Sequence, residues 1–78
     1  MSKIKNPEYC IAFGENLRKL RKKKGLTMMD LAFEADIEYS QIARIERGIA
    51  NPTISTLYVL AKSLDVKPQD LLKFEFNS

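Results

Sequence analysis

Between positions 39 and 47, four side chains carry most of the chemistry this sequence offers: Tyr39, Ser40, Arg44 and Arg47. At helical spacing they take the outward side of one short helix, because Ile42 and Ile45 mark its inward side. Hydroxyls and guanidinium groups on an exposed helix face donate hydrogen bonds, and base edges and phosphates of a major groove are acceptors that suit them. Catalytic chemistry is poorly represented. With no histidine in the chain, a His-based triad, a His general base and a Cys/His zinc site are all excluded. The single cysteine, Cys10, has no partner for an internal disulfide and reads as a small hydrophobe on the first helix. No nucleophile–base arrangement, metal ligand set or cofactor site can be assigned, so an enzyme is not expected.

Length and charge narrow the reading further. The chain has 78 residues, 45% hydrophobic and 29% charged, which suits one globular domain. A domain this short buries only about 60% of the surface of its unfolded chain, so its core is small. Residues 1–25 hold eight Lys or Arg against Glu8 and Glu15, whereas residues 26–78 hold five against eight acids. Such asymmetry permits a polyanionic partner on one face, although Lys22-Lys23-Lys24 on its own reads as a solvated helix end that complements the helix dipole. The opening Met-Ser-Lys-Ile-Lys-Asn-Pro lacks the apolar run of a secretory signal, and nowhere do 18 apolar residues run together. A cytoplasmic location is expected.

Glycine, proline and capping residues divide the chain into helices. Asn6-Pro7 starts the first, and Cys10, Phe13, Leu17 and Leu20 form one apolar stripe along it. It spans roughly 7–24, ends before Gly25, and has Gly14 as either a weak point or a site of close packing. Thr27 with Asp30 forms a capping-box pattern for a second helix that buries Leu31, Ala32 and Ala35. Asp36-Ile37-Glu38 is a tight connector with Ile37 plugging the turn, and the third helix covers about 39–47. After the loop Ala50-Asn51-Pro52, Thr53 caps a fourth helix carrying Ile54, Leu57, Leu60, Ala61 and Leu64. Asp65-Val66-Lys67 breaks it, and Pro68 opens a fifth short helix with Leu71 and Leu72. The only strand-like alternation is Phe74-Glu75-Phe76. The expectation is an all-α, compact five-helix domain in which helices two and three form a helix-turn-helix.

The segments L-R-K-L-R at 17–21, G-L-T at 25–27, D-L-A at 30–32 and S-Q-I-A-R-I-E-R-G at 40–48 occur in order. N-P-T at 51–53 and L-A-K-S-L-D-V-K-P-Q-D-L-L at 60–72 complete the series. In this order the chain resembles the Cro and phage-repressor type of helix-turn-helix, the xenobiotic response element family, over about Leu17 to Leu72. The resemblance implies a lambda-repressor-like fold. Residues 17–72 would be the DNA-binding domain, 1–16 an N-terminal extension with the first part of helix one, and 73–78 a C-terminal tail.

It also implies roles for single residues. Tyr39, Ser40 and Arg44 match positions that face bases, with Gln41 bordering them and Arg44 suited to bond both O6 and N7 of guanine. Thr27 and the first amides of helix two would meet a phosphate, Met28 occupies a position that usually touches one, and Arg47 and Asn51 lie next to the backbone. Arg21 and Glu46 match a largely buried ion pair bracing helix three. Three positions depart from the pattern. Met28 stands where glutamine is usual, Asp36 where the turn usually has glycine, and Glu38 where a Ser or Thr cap is usual; weaker non-specific affinity is expected. Leu71, Leu72, Phe74 and Phe76 are too apolar for a terminus unless covered, either by folding back on the core or by a two-fold interface, which is favoured.

The function implied is a sequence-specific, double-stranded DNA-binding transcriptional regulator. It would act as a homodimer on a near-palindromic operator, and a toxin or RNA polymerase is a further possible contact. The alternative is an antitoxin or protein-interaction module that keeps the fold with weak or no specific DNA binding.

Overall fold

The computed structural model describes residues 4–77. It contains four α-helices: α1 (Pro7–Lys23), α2 (Met28–Ala35), α3 (Tyr39–Glu46) and α4 (Ile54–Leu64), followed by a 3-10 helix (Pro68–Leu72). No strand occurs among the described residues, and none of their helices is long and apolar enough to cross a membrane.

The helix starts follow local chemistry. The Asn6 side chain accepts from the Tyr9 amide at 2.9 Å, and Pro7 sits where the missing N–H does no harm. Thr27 and Asp30 form a reciprocal capping box, with Asp30 N–H donating to the Thr27 hydroxyl at 3.0 Å and Thr27 N–H to the Asp30 carboxylate at 2.9 Å. Those bonds hold the Asp30 carboxyl below the usual carboxylate range. Thr53 caps α4 by accepting from Thr56 N–H at 3.1 Å. The stops are equally local. α2 and α4 both end on an aspartate with φ of 56°, Asp36 and Asp65, in the left-handed conformation that Asp tolerates better than most residues. Asp36 therefore does the work of a turn glycine. Glu38 makes no side-chain cap bond, so α3 starts without one.

The core draws on every element. Phe13 and Leu17 of α1, Leu31, Ala32 and Ala35 of α2, Ile42 and Ile45 of α3, and Leu60, Ala61 and Leu64 of α4 are buried together with Leu71. Ile37 packs against this cluster from the turn. α1 crosses α3 so closely at Gly14 that a Cβ there would meet the carbonyl oxygen of Ile45 and lie 2.6 Å from that of Glu46. Gly14 is thus a packing site. Gly48 has a φ of 80°, and a Cβ on it would lie 2.5 Å from Ile11 Cα.

Two expectations about the C-terminal region are corrected. The fifth helix is a single 3-10 segment, not an α-helix. Its backbone bonds span three residues, Asp70 N–H to the Lys67 carbonyl at 2.9 Å and Lys73 N–H to that of Asp70 at 3.3 Å, and the Asn16 side-chain amide donates to the carbonyls of Asp70 and Leu71, at 3.0 and 2.9 Å. Leu71 is not available to a dimer interface, because it is wholly buried in the core of its own chain. The tail folds back on α1: the Tyr9 ring lies 5.2 Å from that of Phe74 and 4.9 Å from that of Phe76, the latter edge-on. Phe74 and Phe76 are half-buried, and Leu72 stays exposed.

Candidate nucleic-acid interface

The connector between α2 and α3 is closed by Ile37 N–H donating to the Ala32 carbonyl at 3.0 Å, which fixes the angle at which α3 leaves. α3 then turns Ile42, Ile45 and Glu46 inward. With those three positions buried, the opposite side of the helix carries Ser40, Arg44 and Arg47 in one row, flanked by Tyr39 and the half-buried Gln41 and Ala43. Tyr39 is 47% exposed, so its ring lies at the edge of the row and not in the core.

A buried ion pair holds this helix in place. Arg21 Nε and Nη2 donate to the two carboxylate oxygens of Glu46, at 2.5 and 3.0 Å, and both side chains are over nine-tenths buried. Arg21 Nη1 donates in addition to the Leu26 carbonyl at 2.7 Å, tying the pair to the turn before α2. Hydrogen bonding to Glu46 raises the guanidinium above its ordinary value against the opposing effect of desolvation, so Arg21 is charged at any working pH. Every guanidinium nitrogen that faces inward is satisfied, as a buried charge requires.

The start of α2 lies beside this row. Thr27 and Asp30 consume each other's amides, which leaves the Met28 and Met29 N–H groups as the unpaired donors of the first turn. An open depression lined by Lys22, Thr27, Met28, Met29 and Tyr39 runs from there towards α3. The Met28 side chain is half-buried against the core, presenting an apolar surface. A second depression, of about 170 Å³, continues along α3 and is lined by Arg18, Arg21, Met28, Ala43, Glu46 and Arg47.

The sequence-derived site residues divide accordingly. Tyr39, Ser40, Gln41 and Arg44 share α3, Arg47 caps its C-terminal end, and Thr27 and Met28 adjoin it. Asn51 stands apart in the loop after Gly48, where its amide donates to the Ile4 carbonyl at 3.2 Å, beside Lys5 Nζ on the Ile49 carbonyl at 3.3 Å. Arg18 was not singled out from the sequence, yet it opens onto the same depression as Arg47. The signal that finds it is helical spacing: it lies three residues before Arg21, whose partner is on α3.

The helix-turn-helix family model matches residues 17–71. The control protein C.BamHI of Bacillus amyloliquefaciens is 37% identical over 65 residues, which is 82% of this chain and 80% of that protein. The restriction-modification controller protein C.AhdI from Aeromonas hydrophila is similar in structure, with a TM-score of 0.78 at 37% identity over 80% of this chain and 94% of that one. SinR, the master regulator for biofilm formation, whose crystal structure is in complex with DNA, gives a TM-score of 0.75 at 34% identity. That match covers 78% of this chain and 98% of the solved one.

Proposed function

The chain belongs to the helix-turn-helix family of transcriptional regulators, and from that premise we propose that it binds double-stranded DNA sequence-specifically with α3 in the major groove. The observation that carries the reading is the Ser40–Arg44–Arg47 row. These donors are exposed, have no partner among the described residues, and stand on a helix that a buried ion pair prevents from shifting. In this reading Tyr39, Ser40, Gln41 and Arg44 meet base edges. Arg47, the α2 amides beside Thr27 and Met28, and Asn51 meet phosphates, Asn51 after releasing the Ile4 carbonyl. The half-buried Met28 gives an apolar contact in place of a polar one.

A homodimer would place two copies of α3 on half-sites about 34 Å apart. With Leu71 in the core, the exposed Leu72 and the half-exposed Phe74 and Phe76 remain as the candidate two-fold surface. The match to C.BamHI and C.AhdI over most of their lengths supports a controller-type role, and the duplex upstream of the protein's own gene is the operator we propose to test.

Fluorescence-anisotropy titration against that upstream duplex and a scrambled one, at two salt concentrations, tests the reading. A preference of about a thousandfold is expected. Arg44→Ala should cost about 1–3 kcal/mol of specific binding and relax discrimination, whereas Arg47→Ala should weaken all duplexes alike. Weak binding that is equal on both duplexes would favour a protein partner instead, for which Met29 and Phe33, 65% and 84% exposed on α2, are an apolar surface.

A further inference from the structure

We propose that Arg18 of α1 and Arg47 at the C-terminal cap of α3 together form a seat for a single DNA phosphate, extending the interface beyond the helix-turn-helix onto α1. The inference rests on the DNA-binding reading above and assigns it a residue that reading does not contain. Its starting point is the charge inside the second depression. Four charged side chains line it, and two of them, Arg21 and Glu46, neutralise each other through paired hydrogen bonds. The remaining two, Arg18 and Arg47, are both positive and exposed, and neither has a hydrogen bond or ion pair among the described residues. Met28 and Ala43 complete the lining with apolar surface and offer no acceptor. Two guanidinium groups opening onto one concavity repel each other unless an anion lies between them.

Position identifies the anion. Arg47 belongs to the outward row of α3 with Ser40 and Arg44, and Arg18 faces it from the side where α1 crosses α3 at Gly14. When the row enters a major groove about 12 Å wide, the strand backbone runs along its flank, which is where this depression opens. Guanidinium groups also match phosphate oxygens in a planar, bidentate manner that lysine does not. Lys19, one residue along, provides an internal comparison: it carries the same charge but borders a different depression with Glu15, Asn16 and Phe74.

The test uses the full chain and two fluorescein-labelled duplexes, the upstream sequence and a synthetic mixed sequence, titrated across a salt series. Arg18→Ala and Arg47→Ala are each expected to weaken both duplexes by the same factor and to reduce the slope of log K against log salt by about 0.9, the value for one phosphate. Because the seat holds one phosphate, the double variant should lose hardly more slope than either single. Lys19→Ala should retain nearly the wild-type slope. Far-ultraviolet circular dichroism checks that the variants are folded, and Arg18→Gln serves as a second neutral replacement expected to behave like Arg18→Ala.

An Arg18→Ala protein with wild-type affinity and slope overturns the proposal. So does a double variant that loses about 1.8 units of slope, since that would mean two separate phosphates. Equal losses in Lys19→Ala and Arg18→Ala overturn it as well, by reducing the effect to overall charge. Failure of the wild-type chain to bind either duplex overturns the DNA-binding reading itself, and is told apart because it appears before any substitution is made.

Discussion

Removing one member of the Arg21–Glu46 pair should be among the most damaging single changes in this domain. Replacing Glu46 by leucine leaves the Arg21 guanidinium, whose side chain is 8% exposed, without its carboxylate. Breaking a buried pair in this way costs about 3–5 kcal/mol, because the surviving charge keeps its desolvation penalty and loses its partner. Arg21→Met should cost about 1 kcal/mol more than Glu46→Leu, since it also deprives the Leu26 carbonyl of its 2.7 Å donor. In a domain of 78 residues, each kcal/mol moves Tm by about 4–8 °C, so Glu46→Leu should melt roughly 12–40 °C and Arg21→Met roughly 16–48 °C below the wild type. The double variant Arg21→Met/Glu46→Leu removes both charges at once and should recover most of that loss.

Urea denaturation of the four proteins, followed by far-ultraviolet circular dichroism, gives the coupling energy directly. A coupling of several kcal/mol, unchanged by added salt, is the expected result. Single losses below about 1 kcal/mol that fade with salt would show a solvated surface pair and refute the argument.

Gly14→Ala should destabilise by about 1–3 kcal/mol, because its Cβ would press on the Ile45 and Glu46 carbonyls and force α1 from α3. The same denaturation assay reads it, and a change near zero would mean that the crossing relaxes freely. The Asp30 carboxyl, held low by Thr27, contributes stability that is fully present above its unfolded pKa of about 3.9 and lost as pH falls through its lower folded value. Asp30→Asn should accordingly flatten the acid limb of a stability–pH curve, and an unchanged limb would contradict the capping box. For the homodimer, Leu72→Glu should raise the dissociation constant measured by sedimentation equilibrium. A loss confined to Tyr58→Glu would move the two-fold surface to the exposed Ile54 and Tyr58 of α4.

Helix starts, stops and inward faces were legible in the sequence because they depend on neighbours a few positions away. Thr27 with Asp30, Thr53 and the two left-handed aspartates, Asp36 and Asp65, act within one turn of chain. The outward row on α3 was legible for the same reason, since burial of Ile42 and Ile45 dictates what remains. Features that depend on distant packing were not. The 3-10 segment at 68–72 accepts bonds from the Asn16 amide, and the burial of Leu71 follows from its seat in the core that α1 helps to form. Arg18 acquires its place only because Gly14 lets α1 come close to the end of α3. Asn51 donates to the Ile4 carbonyl in the free chain, a bond to a segment whose sequence shows no pattern that would reveal it.

The hydrogen bonds from Asn16 to the Asp70 and Leu71 carbonyls join positions 54 and 55 residues apart, and this has a consequence for biosynthesis. The core stays open at α1 until Leu71 has been made. Ribosomes add about 5–20 residues per second, so 78 residues need roughly 4–16 s. Helical domains rich in local contacts fold in microseconds to milliseconds. Folding is therefore fast compared with synthesis, and the core closes only once Leu71 has left the ribosome.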